Sequence, residues 1–333
     1  MLAIAVKEQQ YKTYVLSDQT AQSEIEVVPE RGGIITKWCY QGQEILYLDA
    51  ERFANPNLSV RGGIPILFPI CGNLPDNTYT HHKRVWTKPV DDIGNKGDKE
   101  NKGDKKNKGD KEEPFSPPTT YDETYNIQKY TLKQHGFARD LPWEVTEQVT
   151  EGFVSITLVL ESNKKTREVY PFDFKIAFTY QLKGNRLEIR QRYTNCSEEQ
   201  MPFSTGLHPY FYTADKTQLQ LRIPAKEYQD QRTNTVHPFT GSFDFDTDEI
   251  DVAFRDINSP FATAIDNGRQ LRISLSYDEA YSTLVFWTVK GKDFYCLEPW
   301  TAPRNALNTN QNLIRLEPDQ TFETIVGLSV SFS

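Results

Sequence analysis

The sequence predicts an all-β fold of antiparallel strands with few short helices, and three observations predict it. Hydrophobic residues make up 37% of the 333-residue chain and aromatics 12%, including 17 Tyr and 19 Phe, which suits strands better than helix bundles. Apolar side chains recur with a period of two in segment after segment. Helical patterns longer than two turns are hard to find. The length permits two average domains, but all-β sandwiches run past about 200 residues as one unit, so a single domain over 1–333 is expected.

Taken in chain order, FVSITLVL (Phe153–Leu160) and FDFKIAFTYQL (Phe172–Leu182) read as strands joined by a polar SNKKTREVYP link of the length a long hairpin needs. RLEIRQRY (Arg186–Tyr193), TQLQLRI (Thr217–Ile223), RQLRISL (Arg269–Leu275) and TFETIVGLSVSF (Thr321–Phe332) each alternate, as antiparallel strands with one solvated face do. One tract breaks the pattern. From Asn95 through Glu112 the hexamers NKGDKE, NKGDKK and NKGDKE follow one another without an apolar residue, so a low-complexity, solvated insert is expected at about 94–120, up to the Pro117-Pro118 pair.

Net charge is −8, which argues against a general nucleic-acid or anionic-membrane surface, since both need a basic face. The opening MLAIAVKEQQ is neither a secretory apolar region nor a membrane span, so a cytoplasmic location is expected. Cys39, Cys71, Cys196 and Cys296 form no CxxC pair and are expected reduced and mostly buried.

Three runs can carry chemistry. Two of the five histidines, His135 in QHGFARDLPW and His208 in STGLHPYFY, sit among Gly, Pro and aromatic residues that belong near strand ends. In YCLEPWTAPRNALN, Glu298 follows an apolar strand and directly precedes Pro299 and Trp300, where ring surface desolvates a carboxylate and makes it a better base. Each, alone, reads more readily as a satisfied structural residue than as a catalytic one. No HExxH and no i, i+4 histidine pair is present, and the adjacent His81 and His82 point apart, so no metal site is expected. Neither a GxSxG nucleophile elbow nor a strand–GxGxxG–helix or P-loop unit occurs, which leaves a nucleotide cofactor no evident seat.

Together these runs resemble the galactose mutarotase-like or aldose 1-epimerase superfamily. Five segments stand in that family's order: RGGIPILFPICGNLPD (Arg61–Asp76), HGFARDLPWEV (His135–Val145), TGLHPYFY (Thr205–Tyr212), DEIDVAF (Asp248–Phe254) and CLEPWTAPRNALN (Cys296–Asn308). The resemblance implies a large β-supersandwich that interconverts the α and β anomers of a sugar without metal or cofactor. It implies Glu298 as general base on the anomeric hydroxyl and His208 as the acid that protonates the ring oxygen. His135 then contacts the substrate near the reacting end, and Asp251 and Arg61 hold its polar groups. Many relatives carry a basic residue after the GIPILFPICG-like run, where this chain has Asn73, a further candidate substrate contact. Phe137, Trp143, Tyr210 and Trp300 flank the candidates, either as sugar-stacking rings or as core.

The family divides between free hexoses and hexose 6-phosphates, and Arg61, Lys83, Arg84 and Arg139 are the cations a phosphate would need. The run from CLEPW to NALN is more similar to the free-aldose branch, and the sequence leaves the choice open. The partner implied is a small-molecule sugar, with no nucleic acid and no membrane. Oligomeric state is not readable, and only the resemblance points to a monomer. Two other classes stay open: a non-catalytic carbohydrate-binding sandwich, and a glycoside hydrolase or lyase, for which Asp251 and Glu298 would be the carboxylate pair.

Overall fold

In a computed structural model of the chain, residues 1–87 and 122–332 are described, the side chains of 83–87 and 122–125 excepted. The insert expected at about 94–120, most of which falls in 88–121, and the side chains of Lys83 and Arg84 therefore lie outside what is described. The chain divides into two compact units, Met1–Tyr79 with Tyr130–Ser333, and Thr80–Lys129. In the smaller unit the strands Thr78–Thr87 and Asp122–Thr131 pair with each other.

The larger unit is built from antiparallel sheets, as expected. One eight-stranded sheet runs Leu219–Arg222, Phe261–Asp266, Leu271–Tyr277, Thr321–Phe332, Arg186–Asn195, Phe174–Lys183, Val154–Glu161 and Glu144–Val149. Its central strands alternate buried and exposed side chains along Phe174–Lys183 and Arg186–Asn195, which is why the period of two in the sequence reads them correctly. A second eight-stranded sheet carries Glu249–Phe254, Thr283–Val289 and Phe294–Trp300 side by side, with Gly206–Leu207 and Tyr210–Tyr212 both paired to the last. A five-stranded meander, Leu2–Lys7 through Gln43–Glu44, is the third large sheet, and Met201–Phe203 with Ile314–Leu316 forms a separate two-stranded pair. One continuous apolar core joins all three sheets, with Phe68 at a hub where its ring meets Phe137, Tyr170, Phe174, Tyr193 and Phe203.

Among the described residues helices are short, the longest being Lys164–Val169. It lies in the link expected as a plain hairpin connection. Asn163 accepts from the backbone of Lys165 and Thr166, while the Thr166 hydroxyl accepts from the Asn163 N–H, a reciprocal cap that starts a turn of helix. Two strand starts also shift: Thr217 and Gln218 belong to a 3-10 turn capped by Asp215, and Arg269 and Gln270 to the turn before Leu271. No helix among the described residues is long and apolar enough to cross a membrane. All four cysteines are free, but only Cys71 and Cys296 are buried; Cys39 is half-buried on the strand Ile34–Tyr40, and Cys196 is exposed just past the end of Arg186–Asn195.

The segment that brings His135 to the second sheet depends on Gly136. At φ +72° a Cβ there would stand 2.1 Å from the Phe68 carbonyl oxygen, and the next residue donates its N–H to that same oxygen. Gly136→Ala therefore costs at least about 2 kcal/mol through backbone strain and displacement of the Phe68 carbonyl. Urea denaturation measures it, and an unchanged midpoint would refute the argument.

Candidate active site

The site stands on one face of the second sheet. Alternation along Glu249–Phe254 puts Glu249 and Asp251 on the same side, and along Phe294–Trp300 it does so for Cys296, Glu298 and Trp300. Register places Trp287 between Asp251 and Cys296, and Val285 beside Glu298. His208 falls between the short strands Gly206–Leu207 and Tyr210–Tyr212, next to Glu298's strand. His135 comes from elsewhere, in a loop tied twice to Gly72: the His135 N–H donates to the Gly72 carbonyl at 2.7 Å, and the Gly72 N–H to His135 Nδ1 at 3.1 Å.

His135, His208, Glu298 and their neighbours on this face line a cavity of about 330 Å³, which leaves Cys296 behind its wall and is within the range of small-molecule sites. Its walls hold Arg52, Arg61, Gln134, Arg139, Tyr210, Glu249, Asp251, Trp287, Trp300 and Arg304 around the His135, His208 and Glu298 cluster. His208 Nε2 lies 3.4 Å from Glu298 Oε1, and both side chains are buried, at 7% and 1% exposure. Trp300 Nε1 donates to the other carboxyl oxygen of Glu298 at 3.2 Å. The His208 ring stacks on Tyr210, with centroids 4.6 Å apart at 11°, and meets Trp287 and His135 edge-on. Arg304 Nη2 reaches Asp251 at 3.1 Å, Gln231 donates to the same carboxylate at 2.7 Å, and Trp287 Nε1 donates to Glu249 at 2.8 Å.

Burial dominates the electrostatics. It raises the Glu298 carboxyl well above its ordinary range, with the Asp251 charge adding to it against Trp300, Arg304 and Arg139. Burial, then Arg139, lowers His208 to about 3. His135 is lowered well below its usual value by burial and by Arg139, His208 and Arg304. The resting pair is thus a protonated Glu298 beside a neutral His208, which holds the same number of protons as a carboxylate beside an imidazolium. Shifting one proton across 3.4 Å turns the first into the second with no change in net charge. His135 is neutral, and its Nδ1 accepts the Gly72 N–H, so its proton sits on Nε2 and makes that atom a fixed donor.

Of the residues singled out in the sequence, Glu298, His208, His135, Arg61, Asp251, Arg139, Tyr210 and Trp300 line this cavity. Glu298 lies within its strand rather than after it, on a stretch buried at every position. Asn73 is exposed and does not line the cavity; its carbonyl accepts the Asn305 N–H instead. Trp143 packs on Phe178 and Phe137 on Phe68 and Phe174, so these two rings are core. Sequence reasoning missed Arg304, Trp287 and Glu249. A signal existed for Glu249, since DEIDVAF places it two residues from Asp251 on a strand.

Comparison with known proteins decides the family. The model of the aldose 1-epimerase family matches residues 119–329. The chain belongs to that family. Its role is accordingly that of a sugar epimerase or mutarotase of the isomerase class. The crystal structure of the Slr1438 protein from Synechocystis is similar over 100% of both chains, at 41% identity and a TM-score of 0.82. A galactose mutarotase-like protein from Clostridium acetobutylicum shares the fold at 18% identity and a TM-score of 0.72, over 100% of this chain and 99% of that one. Among curated proteins, the plasmid protein LacX of Lactococcus lactis is 22% identical over 78% of this chain and 80% of its own. The all-β supersandwich inferred from the five segments is the fold found.

Proposed function

We propose that this epimerase interconverts the α and β anomers of an aldose by acid–base ring opening and reclosure. The observation that carries the reading is the buried Glu298–His208 pair at 3.4 Å on the cavity wall. The anomeric hydroxyl oxygen and the ring oxygen share one carbon, so two groups this close can each address one of them. Glu298, as carboxylate, takes the hydroxyl proton; His208, as imidazolium, gives a proton to the ring oxygen; the C1–O5 bond breaks and an aldehyde forms. Rotation about C1–C2 and reversal of both transfers on the other face gives the opposite anomer. Each cycle returns both protons, so the chemistry calls for no cofactor. His135 Nε2–H steadies an oxygen near the reacting end, Asp251, fixed by Arg304 and Gln231, takes sugar hydroxyls, and Tyr210, Trp287 and Trp300 supply ring surface.

The substrate we favour carries an anion remote from C1, as a hexose 6-phosphate does. Arg52, Arg61 and Arg139 line the cavity without an acidic partner among the described residues, and the Arg139 Nε is buried with no acceptor. Arg139 is partly withdrawn from water without a counter-ion, which is costly, and a bidentate phosphate reached also by half-buried Arg52 and exposed Arg61 would satisfy it. A free hexose is the second reading, favoured by the likeness of the CLEPW-to-NALN run to the free-aldose branch.

Anomer-exchange NMR on glucose, galactose and glucose 6-phosphate tests both. Acceleration is expected for at least one sugar and greatest for the phosphate, and a chromogenic glycoside should stay intact. No acceleration for any of the three would remove the mutarotase reading. Arg61→Gln should raise KM for the phosphorylated sugar about tenfold or more, the worth of one charged hydrogen bond, and change glucose far less. Equal effects on the two would remove the anion.

A further inference from the structure

We propose that the catalytic pair, together with Cys296, forms an inhibitory site for a thiophilic divalent ion such as zinc or cadmium. One nitrogen of His208, the Cys296 sulfur and one carboxyl oxygen of Glu298 all lie within 4.8 Å of one another, and all three residues are buried. The sheet builds this directly: Cys296 and Glu298 are two residues apart on one strand and so share a face, while Tyr210, two residues beyond His208, is the register partner of Cys296. Side-chain shifts of roughly an ångström bring three such atoms to the bond lengths of a tetrahedral zinc site. A second observation is that His208 Nδ1 is buried without a side-chain or backbone acceptor or donor in hydrogen-bond range, so the protein does not fix which ring nitrogen carries the proton and either can be offered to an ion.

The cavity exposes His208 and Glu298 but not Cys296, so an ion entering from the cavity meets the nitrogen and oxygen first and the sulfur behind them. The fourth position faces the cavity and takes water. Binding releases the thiol proton and the proton that Glu298 and His208 share, giving thiolate, carboxylate and neutral imidazole around the metal. That shared proton is the one ring opening needs, so the metal-loaded form is inactive. Without metal, burial keeps the Cys296 sulfur a neutral thiol of low reactivity, which leaves it no part in the metal-free reaction.

The inhibition rests on the proposed mutarotase activity, whereas binding does not, so both are measured. Titration of the intact protein with cadmium should give an ultraviolet thiolate-to-cadmium charge-transfer band at one ion per chain. Cys296→Ala should lose the band, Glu298→Gln should keep it at an affinity about tenfold lower or more, and Cys196→Ala and Cys39→Ala should not change it. In exchange NMR, zinc should slow the wild type reversibly by chelation and leave Cys296→Ala, active without metal, at least about tenfold less sensitive. A band that persists in Cys296→Ala, or is absent from the wild type, would overturn the site whatever the activity proves to be. Equal zinc inhibition of wild type and Cys296→Ala would overturn the inhibitory role.

Discussion

Glu298→Gln should reduce protein-accelerated anomer exchange by roughly 10²–10⁴-fold, the contribution typical of one general acid or base. The amide keeps the shape of the side chain and leaves an oxygen for the Trp300 indole N–H, so the pocket is preserved while its base is lost. Stability should not fall. Glu298 is almost wholly buried and rests protonated, so the amide replaces one neutral polar group with another of the same shape. Exchange NMR and a thermal melt check the two halves together. Near-normal exchange in a well-folded variant would take Glu298 out of the mechanism, and a large drop in melting temperature would show it to be structural.

His208→Asn should cost a similar factor, about 10²–10⁴-fold, and should also change the pH profile. In the wild type the pair holds a single proton between the two titrations, because burial lowers His208 to about 3 and raises Glu298 well above the usual carboxylate range, so the rate stays level through that interval. Asparagine cannot take the proton that Glu298 must give up. Residual activity then needs the ionised carboxylate, and the rate should climb as pH rises through the raised Glu298 value. A flat profile in the variant, at any activity, would show that the two groups do not share a proton. Loss of the Tyr210 stacking partner can lower stability, but it cannot produce that slope.

Alternation made much of the fold legible. Strands such as Arg186–Asn195 bury every second side chain, and a pattern confined to ten residues suffices to find them. It failed at Phe294–Trp300, where both faces are covered and no alternation exists to mark Glu298 as lying inside a strand. The site residues with unusual local context, His135, His208 and Glu298, were readable as part of a pattern of segments. Arg304 and Trp287 were not, because their roles come from which strands lie side by side: Trp287 matters through its register with Asp251 and Cys296, a relation that no window of sequence contains. Asn73 failed for the opposite reason. It sits one residue from Gly72, which does hold His135, but its own side chain turns away to solvent.

The same wide spacing bears on how the chain reaches its working state. The Thr205 hydroxyl donates to the Leu67 carbonyl across 138 residues, Ser204 takes the Cys71 N–H across 133, and Gly72 and His135 clasp each other across 63. Contacts of such separation close late in folding, since each must first overcome the entropy of a long loop. A nascent or partly folded chain can therefore hold its local hairpins, Phe174–Lys183 with Arg186–Asn195 among them, while it still lacks any competent centre. Competence arrives only with the last closures, so the appearance of activity times the completion of the whole molecule and not of any one part.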